Sequence, residues 1–159
     1  MAIIKLLTKI NADRSIVFNL SRSIELHLIS SRKSYEKVVG GRREGLIEMG
    51  ETVTWRAKHI GVYQNFTSEV IGCESDEYFA DKMISGAFKN FKHEHYFLRK
   101  GNDTLLIDVL EFRSPLGFLG RLADFLFLKK YMTNFLKERN ETIKQYAESE
   151  KWKEILIRN

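Results

Sequence analysis

The longest regular pattern in the sequence lies near its end, between Gly120 and Ser149. Apolar side chains recur there at steps of three, four and eight residues, which places them on one face of an α-helix. No glycine or proline interrupts the chain after Gly120, so the pattern predicts one helix of about 28 residues, roughly 40 Å long. A helix of that length needs a partner surface of similar length. Its apolar positions are Phe125, Leu128, Met132, Phe135, Ile143 and Tyr146, and Arg139 is the only charged residue on that face.

The residues before this helix alternate between apolar and polar side chains, a period typical of β-strands. Two short helices interrupt this pattern after the first strand, at about 14–21 and 23–30, and Asn11 or Asp13 can cap the first of them. Consecutive short strands joined by tight turns favour an antiparallel sheet. Gly61 marks either a turn or a bulge, and Gly61 and Gly86 are candidates for the bulges that would curve this sheet around the final helix. The strands are predicted at about 3–10, 35–39, 51–60, 66–73, 78–84, 92–99 and 105–113.

Composition changes this picture little. The chain has 159 residues, 43% of them apolar and 30% charged, which are the proportions of a soluble globular protein, and we expect one domain over 1–159. The net charge of +5 comes from scattered Lys and Arg without a nucleic-acid-binding motif, so no nucleic-acid partner is expected. The single cysteine, Cys73, excludes an internal disulfide and indicates a reducing, cytoplasmic location. The apolar start of the chain is too short and too charged for a signal peptide.

Certain residues, spread over nearly the whole chain, match one known superfamily. They are Gly50-Glu51-Thr52-Val53-Thr54-Trp55, Ala57, His59, Gly61, Phe79, Asp81, Gly86, Phe88, His93, His95, Asp108, Pro115-Leu116-Gly117 and Gly120. This set resembles the START-like (SRPBCC, helix-grip) superfamily, and within it the polyketide cyclase/dehydrase and lipid-transport group with the coenzyme-Q-binding-like proteins. The sequence departs from that pattern at Met83, where a polar, glutamine-like residue is expected.

The resemblance implies an α+β helix-grip fold. In this fold a curved antiparallel sheet of about six or seven strands wraps around the long C-terminal helix, with two short helices after strand 1. The resemblance also implies a deep cavity between sheet and helix. It says little about chemistry, because the superfamily contains ligand carriers, cyclases and hydrolases.

Strand alternation places a mixed group of apolar and ionisable side chains on the predicted concave face. Apolar walls with a few polar groups are typical of small-molecule sites. We therefore expect binding or transport of a hydrophobic small molecule, such as a lipid, a quinone or a polyketide-like compound, and we favour this over an enzyme, an alternative that the sequence leaves open. The predicted ligand-binding residues are Trp55, His59, Asp81, Met83, His93, His95, Phe97, Asp108, Leu110, Phe112, Phe125 and Met132.

The ionisable residues of this group leave alternatives open. A cyclase or dehydratase could use His59, Asp81 and His95 as acid–base groups, although no nucleophile motif supports an enzyme. His93 and His95 are two apart on a strand and could join His59 and a carboxylate, Asp81 or Asp108, in a metal site. The simpler interpretation is that each histidine hydrogen-bonds to a neighbouring carboxylate or backbone carbonyl, and no metal or cofactor is expected.

The buried face of the final helix raises two further questions. Arg139 could extend to solvent, pair with a carboxylate such as Asp108 or Glu111, or bind the carboxylate of a ligand. The stretch 115–130 carries more apolar residues than one buried face needs. Its surplus side chains could line the cavity mouth, touch a membrane with Lys129 and Lys130 near lipid phosphates, or form a homodimer contact through Phe118–Lys130.

Overall fold

The computed structural model describes residues 1–115, 117 and 127–157. The element order is strand, two α-helices, a short 3₁₀ helix, six strands and two α-helices. The elements are β1 (Ala2–Ile10), α1 (Arg14–Ser21), α2 (Ile24–Ser30), the 3₁₀ helix (Arg32–Ser34), β2 (Lys37–Gly41), β3 (Thr52–His59), β4 (Val62–Glu74), β5 (Tyr78–Ser85), β6 (Asn90–Lys100), β7 (Asp103–Arg113), α3 (Lys129–Ala147) and α4 (Trp152–Leu156).

The seven strands form one antiparallel sheet in the order β1-β7-β6-β5-β4-β3-β2. The segment of α1, α2 and the 3₁₀ helix connects the two edge strands, β1 and β2. The first strand, β1, pairs with the last strand, β7. Helix α3 packs against β1, α1 and α2. The predicted α+β arrangement of a curved sheet and a long C-terminal helix is therefore confirmed, and the predicted start of that helix, 120–126, lies outside the described residues.

The register shifts among the described strands lie away from Gly61 and Gly86, and one of them falls between Val38 and Gly40, where β2 pairs with β3. The register between β4 and β5 shifts twice, between Thr67 and Ser68 and between Val70 and Gly72. Gly61 instead forms the two-residue turn between β3 and β4, and Gly86 follows the last residue of β5. The turn predicted at Gly61 is therefore observed, and the alternative of bulges at Gly61 and Gly86 was wrong, because a bulge requires one unpaired extra residue on a strand, which ordinary side chains can provide.

Three apolar clusters form the core and leave the centre of the concave face unfilled. One cluster joins α1, β6, β7 and α3 through residues such as Phe18, Phe97 and Ile143. A second surrounds Phe112 at the other end of β7, and a third surrounds Trp55 on β3. The α1 helix covers the first cluster, and its N-cap residue is Asp13. The Asp13 carboxylate accepts hydrogen bonds from the backbone N–H and the hydroxyl of Ser15.

Candidate functional site

A cavity of about 440 Å³ lies between the concave face of the sheet and helices α2 and α3. Ligand pockets usually exceed about 300 Å³, so this volume is in the range of a small-molecule site. Most of its wall is apolar or aromatic. That part of the wall includes Ile24, Val53, Trp55, Phe66, Val70, Phe91, Leu110, Met132, Phe135 and Leu136.

Two groups of polar side chains interrupt the apolar wall. The first, here called the Asp108 cluster, contains Asp81, His93, His95, Asp108, Arg139 and Asn140. The second, here called the Glu36 cluster, contains His27, Glu36, His59 and Tyr131. All but Asp108 and Asn140 line the cavity directly.

Asp108 is the centre of the first cluster and has no solvent exposure. Its Oδ1 accepts hydrogen bonds from Nε2 of His93 and from Nδ1 of His95, each at 2.9 Å. Its Oδ2 accepts a hydrogen bond of 2.6 Å from the side-chain amide of Asn140. Burial alone would raise the pKa of the Asp108 carboxyl, but the hydrogen bonds from the two histidines outweigh it and hold that pKa well below its usual value. Asp108 is therefore a carboxylate that only accepts hydrogen bonds.

Strand geometry explains how these residues come together. His93 and His95 lie two apart on β6, so both side chains point to the concave face. The register of the sheet places Asp81 of β5 opposite His93, and Asp108 of β7 opposite His95. Side chains directly opposite each other on neighbouring strands have their Cβ atoms about 5 Å apart. Strand β6, which lies between β5 and β7, thus carries two histidines between two carboxylates.

Arg139 reaches the same cluster from α3 and is 8% exposed. Its guanidinium donates a 2.9 Å hydrogen bond to the carbonyl of Ser21, at the end of α1, and lies 3.6 Å from Oδ1 of Asp108. Of the alternatives raised by the sequence, pairing with Asp108 is the one observed, and extension to solvent is wrong because the α1 carbonyl and Asp108 hold the group inside. Burial lowers the pKa of Arg139, and the charges of Asp108 and Asp81 oppose that effect.

Asp81 of β5 and His93 of β6 lie opposite each other and line the cavity, and the pKa of each is lowered. Burial, together with the neighbouring His95 ring, lowers the pKa of His93 to about 4. Burial would raise the pKa of Asp81, but the nearby histidines and Arg139 hold it below its usual value. At neutral pH, Asp81 is therefore a carboxylate and His93 is a neutral imidazole.

The Glu36 cluster was missed by sequence reasoning. Nε2 of His27 and Oε2 of Glu36 are buried, lie 3.3 Å apart, and have no hydrogen-bond partner among the described residues. The His27 ring stacks on Trp55 with centroids 4.2 Å apart. Strand alternation could have revealed Glu36, because it lies two residues before the half-buried Val38 of β2 and therefore faces the same side. No pattern in the sequence indicated His27.

His59 belongs to this second cluster and lies apart from the other histidines of the β-sheet. Its Nδ1 shares a hydrogen bond of 2.8 Å with the hydroxyl of Tyr131. Burial lowers the pKa of His59 against the opposing charge of Glu36. The alternative of a metal site that contains His59 beside His93 and His95 is therefore wrong, because β3 and β6 are separated by two strands.

The twelve residues predicted to bind a ligand divide into three groups. Seven line the cavity: Trp55, His59, Asp81, His93, His95, Leu110 and Met132. Phe125 lies outside the described residues. The other four are not among the lining residues: Asp108 lies behind the histidines, Met83 is half-buried against an apolar cluster, and Phe97 and Phe112 are fully buried in the core. The concave face is longer than the cavity, so side chains near its ends pack into the core.

The apolar stretch 115–130 is described only in part. Phe118, Leu119 and the residues up to 126 lie outside the described residues. Phe127 is 50% exposed and its ring stacks on Tyr131, with centroids 6.1 Å apart. Among the described helices, none is long and apolar enough to cross a membrane.

Comparison with known proteins identifies the fold. No family model and no curated protein sequence matches the chain, but solved structures match almost all of it. A protein of Thermus thermophilus has a TM-score of 0.72 at 19% identity, covering 93% of this chain and 100% of its own. The Zhui aromatase/cyclase of a Streptomyces species has a TM-score of 0.74 at 10% identity, covering 92% and 93%. A START superfamily protein of Mycobacterium smegmatis has a TM-score of 0.69 at 13% identity, covering 92% and 97%.

These similarities show that the chain has the START-like helix-grip fold, as the sequence resemblance implied. The identities are too low to show more than the fold, and the same fold supports unrelated functions. Function must therefore be argued from the cavity.

Proposed function

We propose that this protein binds a hydrophobic small molecule in the cavity between the sheet and α3. The observation that carries the proposal is the cavity itself, about 440 Å³ in volume and walled mainly by apolar and aromatic side chains. Protein interiors normally pack without voids, and unfilled apolar space costs stability. A cavity of this size within an otherwise packed core is best explained by a ligand that fills it.

The lining supports a ligand that is mostly apolar and carries a few polar atoms. Aromatic rings of Trp55, Phe91 and Phe135 provide broad surfaces for a flat or ring-containing molecule. The Asp108 and Glu36 clusters provide the polar contacts that would orient it. Lipids, quinones and polyketide-like compounds fit this description, and the likeness to an aromatase/cyclase and to a START superfamily protein supports the same class.

A cavity-filling substitution tests this proposal. Ala57 lines the cavity and is 3% exposed, whereas the next residue, Lys58, points to solvent from the opposite face of β3. Ala57→Phe would place a ring in the cavity, and Lys58→Phe adds the same ring outside it. We expect native mass spectrometry of gently purified wild type and Lys58→Phe to show a bound apolar molecule, and Ala57→Phe to have lost it.

An apolar fluorescent probe gives a second measurement on the same three proteins. We expect the probe to bind wild type and Lys58→Phe and to bind Ala57→Phe at least tenfold more weakly, with circular dichroism showing all three folded. Equal probe binding by folded Ala57→Phe and wild type would contradict the proposal, because the ligand would then bind elsewhere.

A second candidate function is acid–base catalysis on the bound molecule, as in a cyclase or dehydratase. One observation favours it: His95 and Asp81 both face the cavity, with Nε2 of His95 3.7 Å from Oδ1 of Asp81. Incubating the co-purified molecule with wild type and with His95→Gln would test it. A product lacking one water, formed by wild type and not by the variant, would support catalysis, and no conversion by either would leave the protein a carrier.

A further inference from the structure

The hydrogen bonds of Asp108 determine which ring nitrogens of the two histidines remain available. Asp108 is a carboxylate and cannot donate, so the ring nitrogens that contact it must carry the protons. His93 therefore donates from Nε2, and His95 donates from Nδ1. The other ring nitrogens, Nδ1 of His93 and Nε2 of His95, do not contact Asp108 and can bind a metal ion in their unprotonated form.

Asp81 brings a third electron-pair donor to the same place. Its Oδ1 lies 3.7 Å from Nε2 of His95, and one ligand atom from each of Asp81, His93 and His95 lies within 4.8 Å of the other two. Either a proton on Nε2 of His95 or a metal ion between the two atoms stabilises this approach. We propose that Asp81, His93 and His95 bind a divalent transition-metal ion at the cavity wall.

The geometry is close to that of a metal site. Zinc binds imidazole nitrogen and carboxylate oxygen at about 2.0–2.2 Å, so tetrahedral ligand atoms lie roughly 3.4 Å apart. The His95–Asp81 separation of 3.7 Å nearly meets this requirement. The Asp81 side chain is 20% exposed, toward the cavity, and a small rotation of its carboxylate would close the remaining distance. The histidines are already held in place by Asp108, the arrangement by which carboxylates commonly orient metal-binding histidines.

The charges of the cluster favour a cation. Asp81 and Asp108 supply two negative charges, and Arg139 supplies one positive charge 3.6 Å from Asp108. Among these three groups, one negative charge is therefore left without a compensating positive charge.

The donor set also limits the choice of metal. Two imidazoles and one carboxylate suit zinc, iron, cobalt or nickel better than calcium or magnesium, which prefer oxygen ligands. Three protein ligands leave at least one coordination position open, and all three residues line the cavity. An oxygen of a molecule in the cavity could therefore coordinate to the ion. The metal site itself does not depend on the proposed binding of an apolar ligand.

Zinc titration of the chelator-treated full chain tests the proposal. We expect isothermal titration calorimetry to show one Zn²⁺ bound per chain, and Co²⁺ to give visible absorption bands of a site with nitrogen ligands. Asp81→Asn and His95→Gln should each weaken Zn²⁺ binding more than tenfold. His59→Gln is the matched control, because His59 lines the same cavity outside the proposed set and its loss should leave Zn²⁺ binding unchanged.

Folding is checked by thermal melting of each variant without metal, and Asp81→Asn is the safer of the two because its side chain is partly exposed. Zn²⁺ should raise the melting temperature of wild type and of His59→Gln, and should not raise that of Asp81→Asn. Equal Zn²⁺ affinity in wild type and in both folded ligand variants would overturn the proposal, as would the absence of Zn²⁺ binding to wild type. Probe binding by Ala57→Phe answers the separate question of the apolar ligand.

Discussion

Replacing Asp108 by asparagine should destabilise the protein more than any other single charge removal on β7. The carboxylate accepts three hydrogen bonds, two at Oδ1 and one at Oδ2. An asparagine has only one acceptor oxygen, so its amide NH₂ would face either the histidine donors or the amide of Asn140. At least one buried donor would lose its partner, and each such loss costs about 1–3 kcal/mol.

The same substitution also removes the charge that compensates Arg139. That guanidinium is 8% exposed and lies 3.6 Å from Oδ1 of Asp108. Removing one partner of a buried ion pair costs about 3–5 kcal/mol, because the other charge remains buried. The two effects overlap, since both arise from the same carboxylate, and we expect a total loss of about 3–5 kcal/mol in the free energy of unfolding.

Urea unfolding followed by circular dichroism, in buffer with a chelator, measures this loss. In the urea titration, the dependence of the unfolding free energy on urea should stay unchanged. In a thermal melt, the melting temperature of Asp108→Asn should fall by roughly 10 °C for a domain of this size. Asp103→Asn is the matched control on the same strand, because Asp103 pairs with the exposed Lys9 at 2.7 Å and such surface pairs contribute little to stability. A loss below about 1 kcal/mol for Asp108→Asn, equal to that of Asp103→Asn, would refute the reasoning, since breaking a buried pair is expected to cost several times more.

Three further predictions concern the helix cap, the β3–β4 turn and pH. Asp13→Ala should lower the free energy of unfolding by about 1 kcal/mol in urea titrations, because Asp13 caps α1 through Ser15; Asp13→Ser should restore most of it. Ile60 adopts a left-handed φ of 53°, which costs a β-branched residue about 1–2 kcal/mol, so Ile60→Asn should raise the melting temperature, and a fall would contradict the idea of strain. Burial lowers the pKa of His59 below 6.5, so the unfolded chain binds more protons just below that pH and stability should fall as the pH drops below 6.5. His59→Gln should show a smaller slope over that range, and an unchanged slope would exclude His59 as its source.

Local patterns in the sequence were sufficient to predict much of the fold. Side chains alternate along any strand, so the spacing of His93 and His95 alone placed both on one face of β6. The same rule placed Trp55, Ala57 and His59 together on β3. Apolar side chains at helical spacing likewise predicted the long C-terminal helix, whose described part, α3, ends at Ala147.

The cluster around Asp108 depends on contacts that no local pattern contains. Asp108 was predicted to face the cavity, but its hydrogen bonds to both histidines arise from the register of β6 against β7. Arg139 and Asn140 are neighbours on α3, and both reach the cluster because the helix crosses the sheet at that point. The bulges where β4 pairs with β5, one on each strand, and the pairing of Glu36 with His27 were likewise absent from the sequence predictions.

The sequence by itself determined which residues share a strand face or a helix face, because the backbone geometry of each element imposes its own period. Only the tertiary structure decided which of those faces meet, where the concave face is filled by phenylalanines and where it stays open. Packing makes that decision, since strand register, bulges and the docking of α3 depend on side chains far apart in the chain. For that reason Phe97 and Phe112 lie in the core while His93 and His95, on the same inner face, line a cavity.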